Sequence, residues 1–450
     1  MPTRQKNQTI LIVSFLVTLL VIGVLHLILP EQDISEDEGR RLSRFPELSY
    51  ADALTGEQAV KIEKWYSDQF PFRESFISSG KTWRKLAYPN LNADGMAIYL
   101  IPDEEGSNLP EEPEPTEPPA TDPVPSQSDD PDVTETENPT EPTSPPTPPP
   151  LAPDEEVIST KLLLIINKRA MERYYGNEDK LKAYAERLNA FDQKLGEGTQ
   201  LYSLIAPTAI ELFAPDEHHA GYSSQIMCIG IVNDALDANI RTVNAYDQLL
   251  FHRDQYIYYR TDHHWTGLGA YYAYVAFCES AGLDPLPLEA MEHYELEGTY
   301  LGSLYRVSKD EVLKNNPDTT EGWRPNAEYT ATAWDSSEMT SSYKIRLNDE
   351  RIKGGNSYLN FSGGDRALLK IETNHKNGRK ILLVKDSFGN AFVPYLANHF
   401  EEIYVVDPRY YVRSLPTLVK DNGITDALIL NYMFGTSNQT WLTGFDQIAK

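Results

Sequence analysis

An aspartate, two histidines and a serine carry the chemistry this sequence can offer. Asp262, His263 and His264 stand together in the run Thr261-Asp262-His263-His264-Trp265-Thr266-Gly267, directly before a stretch with helical spacing. In extended backbone, residues i and i+2 project to one side. Asp262 and His264 can therefore point together while His263 points away. A carboxylate that orients an imidazole, and an imidazole that takes the proton of a hydroxyl, is the arrangement of acyl transfer through a serine nucleophile. Ser387 offers the hydroxyl, in the run Leu383-Val384-Lys385-Asp386-Ser387-Phe388, where an apolar strand gives way to a helix. At such a junction the hydroxyl is exposed and backbone N–H groups face it, suited to binding an oxyanion. Plainer readings exist. Ser387 can be the cap of the next helix, and 261–267 a capping loop around a packed Trp265. Asp262, His263 and His264 are also competent metal ligands. Metal sites recruit several such residues and the chain has nine histidines, so no metal or other cofactor is expected.

These groups need elements to position them. Residues 181–195 have the pattern of an amphipathic helix, 201–205 of a strand, 224–238 of a helix and 241–243 of a short strand. Leu268, Tyr271, Tyr272, Val275 and Ala276 follow helical spacing. Residues 290–378 are richer in Gly, Ser, Asn and Thr and read as a β-rich excursion. Then come strand 380–384, helix 391–398, strand 403–406, helix 414–420 and strand 427–430. Strands and helices alternating over short loops imply an α/β fold, a parallel sheet with helices on both faces. Ligands bind at the carboxyl ends of such strands, where Ser387, Asp407 and Asn431 fall.

Residues 10–29 form an apolar run about as long as a bilayer-spanning helix, with Arg4 and Lys6 before it and acidic residues after it. The charge asymmetry puts residues 1–9 in the cytoplasm and the rest outside. An uncleaved N-terminal transmembrane helix is expected, because no small-residue cleavage site follows. Residues 31–101 read as an entry segment, with a helix over 58–70 and a strand over 96–100. Residues 102–156 hold 17 acidic residues between Asp103 and Glu156 and no Lys or Arg, with abundant Pro and Thr. Such a tract cannot bury enough surface to offset chain entropy; it is expected to be a disordered insertion at a hairpin tip. Residues 157–450 form the main domain. The net charge of -27 argues against nucleic acid as a partner. Two cysteines, Cys228 and Cys278, exclude a disulfide framework. They read as buried thiols, with a single disulfide as the alternative.

The runs around Asp262 and Ser387 resemble those of the DHHW family of bacterial surface proteins, and through it the SGNH-hydrolase-like alginate O-acetylation proteins. Asp68-Gln69-Phe70-Pro71-Phe72-Arg73 and Val406-Asp407-Pro408-Arg409-Tyr410 support the likeness. The resemblance implies an SGNH-like fold with Ser387 as nucleophile, His264 as base and Asp262 as its orienter. The order is permuted, because Asp262 and His264 precede Ser387, and Lys385 stands where Gly-Asp-Ser has its glycine. Asn431 resembles the oxyanion asparagine of that class, and Arg409 is a further candidate for substrate or oxyanion contact. The resemblance implies an esterase or O-acyltransferase on acetyl esters of a cell-surface polysaccharide, with a membrane-bound O-acyltransferase as donor. The alternative is a non-catalytic wall or glycan-binding protein on a degenerate SGNH scaffold.

Overall fold

The computed structural model describes residues 157–159, 163–335 and 339–450, with 57–73, 29–32, 42–46 and the single residues 23, 25 and 48 before them. The tract 102–156 and the strand expected over 96–100 lie outside the described residues. Of the run 10–29, only Gly23, Leu25 and Leu29 are described. Among the described residues no helix is long and apolar enough to cross a membrane. Helix α1 (Glu57–Asp68) falls close to its expected span. Its Trp65 indole donates to Glu31 (2.7 Å), and Asp68 accepts from the backbone of Ser43 (2.9 Å).

From residue 157 the chain builds one large mixed sheet. Strands β1 (Val157–Ser159), β2 (Leu163–Ile166) and β3 (Arg169–Glu172) make a small antiparallel sheet of their own. Helix α2 (Glu178–Asp192) starts earlier than its apolar spacing suggests. Asn177 accepts a hydrogen bond from the N–H of Lys180 and caps it there. Next come β4 (Gln200–Ala206), the short α3 (Ala209–Phe213), α4 (Gln225–Ala235), β5 (Arg241–Val243), α5 (Ala245–Phe251) and α6 (Gly267–Ala281). The excursion supplies β6 (Glu292–Glu295), α7 (Ser303–Ser308), α8 (Glu311–Lys314), β7 (Glu321–Arg324), β8 (Tyr329–Trp334), β9 (Tyr343–Ile345) and β10 (Leu368–Thr373). The last stretch is β11 (Lys380–Lys385), α9 (Gly389–Leu396), β12 (Glu402–Val406), α10 (Leu415–Asn422), β13 (Asp426–Tyr432) and α11 (Gln439–Ile448).

The eight-stranded sheet runs β5-β4-β13-β11-β12-β10-β8-β9. Its first five strands are parallel, as the alternation of strands and helices implies. The expectation of a wholly parallel sheet is corrected at β10, β8 and β9, which join antiparallel. The excursion is therefore not a separate layer, because three of its strands extend the main sheet. Antiparallel neighbours need no crossover helix, so strands joined by turns can add to an edge directly.

The middle strands β11 and β13 are buried almost throughout and read as continuous apolar runs for that reason. Their alternate residues serve two cores. Ile381, Leu383, Leu428 and Leu430 face α5, α6 and α9. Leu382, Val384, Ala427 and Ile429 face α2, α4, α10 and α11. Both cysteines are buried and free. Helix α11 has no counterpart in the sequence reading. It packs Trp441, Leu442, Phe445 and Ile448 into the second core, and the Trp441 indole donates to the carbonyl of Lys385 at the end of β11 (3.1 Å). Replacing Trp441 by alanine should cost about 3–5 kcal/mol, the usual loss for a buried aromatic. Urea unfolding measures it, and a loss under about 1 kcal/mol would mean that the helix is not integral to the domain.

Candidate active site

The site forms where β11 ends and the loop before α6 arrives. Thr266 caps α6 by accepting from the N–H of Gly269, so the capping reading of this loop holds. Trp265 is fully buried and its indole donates to the carbonyl of Phe388 (2.9 Å). One residue therefore ties the histidine loop to the serine turn. Ser387 lies between β11 and α9 but does not cap α9, whose cap position is Phe388.

His264 lies between its two expected partners. Its Nδ1 is 2.6 Å from Asp262 Oδ1 and its Nε2 is 2.7 Å from Ser387 Oγ. A carboxylate can only accept, so Nδ1 carries the proton and Nε2 accepts from the Ser387 hydroxyl. Asp262 also accepts from the His264 backbone (2.9 Å), the Tyr300 hydroxyl (2.7 Å) and the Ser303 backbone (2.8 Å). Burial alone would raise its pKa. The adjacent His264, the hydrogen bond it makes, His263 and Arg306 outweigh burial and hold the carboxyl well below the usual range. Gly302 is required beside it, because a Cβ there would fall inside the Asp262 side chain.

His263 does not point away from the site. The loop bends here instead of running extended, and the two imidazoles pack against each other, centroids 3.8 Å apart and planes tilted by 35°. Tyr358 covers the other face of His264 at 3.9 Å, and its hydroxyl donates to the carbonyl of Ser387 (2.9 Å). The His263 Nδ1 is 2.6 Å from Ser303 Oγ. Burial, and next the neighbouring His264, push its pKa down to about 3, against the pull of Asp262. Asp262, His263 and His264 have ligating atoms within 4.8 Å of one another. Both Asp262 oxygens and both Nδ1 atoms are already taken up in hydrogen bonds.

The backbone N–H of Ser387 donates to no acceptor among the described residues, which leaves it available to an oxyanion. Asn431 is placed behind the nucleophile. Its amide donates to Asp386 (3.0 Å) and its carbonyl accepts from Tyr184 (2.9 Å). Asp386 also accepts from the backbones of Phe388 (3.0 Å) and Tyr432 (2.9 Å). Asn431 thus braces the serine turn through Asp386. Arg409 is committed as well, donating to Asp407 and Asp365 at 2.7 Å each. Lys385 bonds Asp365 (2.5 Å) and Asn390 (2.7 Å) and lies 3.6 Å from Asp407. Two cations and two carboxylates thus close a buried cluster under Ser387.

Sequence reasoning missed Tyr300, Ser303, Tyr358 and Asp365, all from the excursion. It also missed Asp318, which accepts from the backbones of Arg260 and Thr261 (2.8 Å each) and from the Tyr256 hydroxyl. Isolated polar residues in a variable stretch give no local signal of such contacts.

The family model described as DHHW protein matches residues 152–406. A DHHW family protein from Eubacterium siraeum DSM 15702 is 34% identical, with a TM-score of 0.60; the match covers 66% of this chain and 98% of that one. Bacillus cereus PatB1 with a sulfonyl adduct is 18% identical, with a TM-score of 0.53, covering 64% of this chain and 98% of its own. The O-acetyltransferase domain of Pseudomonas putida AlgJ is 13% identical, with a TM-score of 0.37, covering 65% and 98%. No curated protein matches the chain.

The depressed His263 pKa has a stability consequence. The unfolded chain binds a proton near pH 6.5 that the folded one refuses until about 3. This contribution is complete above the unfolded value and is lost as pH falls toward the folded one. The charged groups acting on the ring are His264, Asp262, Arg306 and Asp365. Melting temperature should fall between those limits, and less steeply in His263→Phe; identical slopes would refute the assignment. Gly302→Ala should displace Asp262 and cut any Ser387-dependent rate by roughly 10²-fold or more, the scale of a misplaced catalytic group.

Proposed function

We propose, for a chain that belongs to the DHHW family, serine-dependent acyl transfer on O-acetyl esters of a cell-surface polysaccharide. The observation that carries this reading is the unbroken hydrogen-bond chain from Ser387 through His264 to Asp262, at 2.7 and 2.6 Å. Ser387 Oγ attacks the ester carbonyl while its proton passes to His264 Nε2. Asp262 stabilises the imidazolium, and the Ser387 N–H receives the oxyanion. Collapse releases the alcohol, which takes the proton from His264, and leaves an acyl-Ser387. Water as the second nucleophile regenerates serine as an esterase; a sugar hydroxyl does so as a transferase.

Bacillus cereus PatB1, whose structure holds a sulfonyl adduct, is similar in fold; that likeness supports the class, because a sulfonyl group is electrophilic and an activated serine hydroxyl is a nucleophile. We read the parallel half of the sheet as SGNH-like with permuted order, since Asp262 and His264 come before Ser387. We place the domain outside the cell, held by a transmembrane anchor over residues 10–29, on the grounds of that run's length and flanking charges. A membrane-bound O-acyltransferase is then the fitting acyl donor.

A fluorophosphonate probe should label the wild-type protein and leave Ser387→Ala unlabelled. Hydrolysis of 4-nitrophenyl acetate should fall roughly 10³-fold or more in Ser387→Ala and in His264→Ala, with little change in melting temperature in Ser387→Ala. Asp262→Asn should also be severe, through the wrong imidazole tautomer. Equal labelling of wild type and Ser387→Ala, or no labelling of either, would leave the non-catalytic alternative standing.

A further inference from the structure

His263 is a buried histidine that the proposed mechanism leaves unused. It is 5% exposed. Its backbone N–H donates to Ser303 Oγ (3.3 Å), and its Nδ1 lies 2.6 Å from the same oxygen. The Ser303 hydroxyl has one proton, and among the described residues Nδ1 is the acceptor within its reach. The hydroxyl therefore donates to Nδ1. If Nδ1 were the donor instead, the serine's own proton would be left without a partner in a buried site, which is costly. A ring that is neutral and accepts at Nδ1 carries its proton on Nε2. With its pKa pushed down to about 3 by burial and then by His264, it keeps that form at neutral pH.

Among the described residues nothing bonds His263 Nε2. Its place follows from the neighbouring ring. The Nδ1 atoms of His264 and His263 lie 2.6 and 4.0 Å from the same Asp262 oxygen. The His263 ring therefore lies alongside the ring whose Nε2 meets Ser387, with centroids 3.8 Å apart. The His263 ring is also about 6 Å from those of Phe388 and Tyr432. His264 must protonate the leaving alcohol oxygen, so the alcohol half of an ester lies beside its Nε2. Tyr358 closes one face of His264 and its hydroxyl is held by the Ser387 carbonyl. His263 flanks the other face with a free donor.

We propose that His263 is a substrate-contact residue whose Nε2–H donates to a hydroxyl of a polyol ester, or of a polyol acceptor, next to the oxygen served by His264. This inference rests on the acyl-transfer reading and adds to it the class of alcohol that the site selects, one with a neighbouring hydroxyl. The sequence reading has His263 as a bystander.

Two esters that differ in neighbouring hydroxyls test it: glycerol monoacetate, which has them, and propyl acetate, which does not. Each should be assayed with the full-length wild type and with His263→Phe, which keeps an aromatic ring against His264 and removes the donor. The ratio of kcat/KM for glycerol monoacetate over propyl acetate should fall about tenfold in the variant, the ordinary scale for one lost hydrogen bond. A ratio unchanged within about twofold overturns the proposal, since a structural defect would slow both esters alike. Nitrogen-15 NMR on the wild type needs no variant to fold. It should show His263 as the Nε2–H tautomer, and an Nδ1–H tautomer overturns the proposal. Fluorophosphonate labelling of the same preparations separates the two claims. With Ser387 labelled and the ratio unchanged, only the role of His263 falls; with no label on the wild type, the acyl-transfer reading falls and takes this one with it.

Discussion

A carboxylate sealed from water needs its lone pairs filled, and Asp262 is where the chain meets that demand. Its four hydrogen bonds come from two distant stretches, the histidine loop and the start of α7. Satisfying the charge thus brings residues about forty positions apart into one corner. It also sets the tautomer of His264, because the bond to Oδ1 requires the proton on Nδ1. Once Nδ1 is a donor, Nε2 is an acceptor, and the Ser387 hydroxyl meets it. The polarity of the site follows from that one buried charge.

A second buried cluster holds the serine turn from below. Lys385 and Arg409 oppose Asp365 and Asp407 at the ends of β11 and β12. Removing one partner from such a set leaves a charge uncompensated in a dry place, which is costly. The cluster therefore locks the loop bearing Asp365 against the strand that ends at Lys385, just before Ser387. That loop follows the short helical turn carrying Tyr358, whose ring covers His264. Lys385, at the glycine position of the Gly-Asp-Ser pattern, thus has a structural use in this chain. Asn431 and Arg409 belong with these braces. Their polar atoms face Asp386, Tyr184, Asp365 and Asp407.

The excursion between α6 and β11 joins the sheet to the site. It extends the sheet through β8, β9 and β10 and also supplies Tyr300, Ser303 and Tyr358 to the site. Apart from β10, which lies inside the sheet, its strands are half-buried or exposed, so their apolar content is diluted by polar residues. That dilution is why the segment reads as irregular β structure while forming part of the main domain.

Much of the parallel half was legible because its signals are local. β11 and β13 are buried on both faces and read as apolar runs; α6 has its cap at Thr266 and its stop at Gly282. Asp262, His264 and Ser387 stood out because an aspartate two residues before a histidine, and a serine after a buried strand, are the residue types of a nucleophile, its base and the base's orienter. What tertiary structure decided were the relations that depend on a partner far along the chain. The direction of β10, β8 and β9 depends on which edge is open. The side on which His263 lies depends on a bend and on Ser303, forty residues away. Whether Asn431 faces an oxyanion or Asp386 depends on the serine turn across the sheet. The sequence by itself determined which groups have the chemistry and which strands form the sheet's centre, because residue type and short-range periodicity encode both. Only the fold decided which polar atoms are left free to meet a substrate, because that is settled by which of them find partners first.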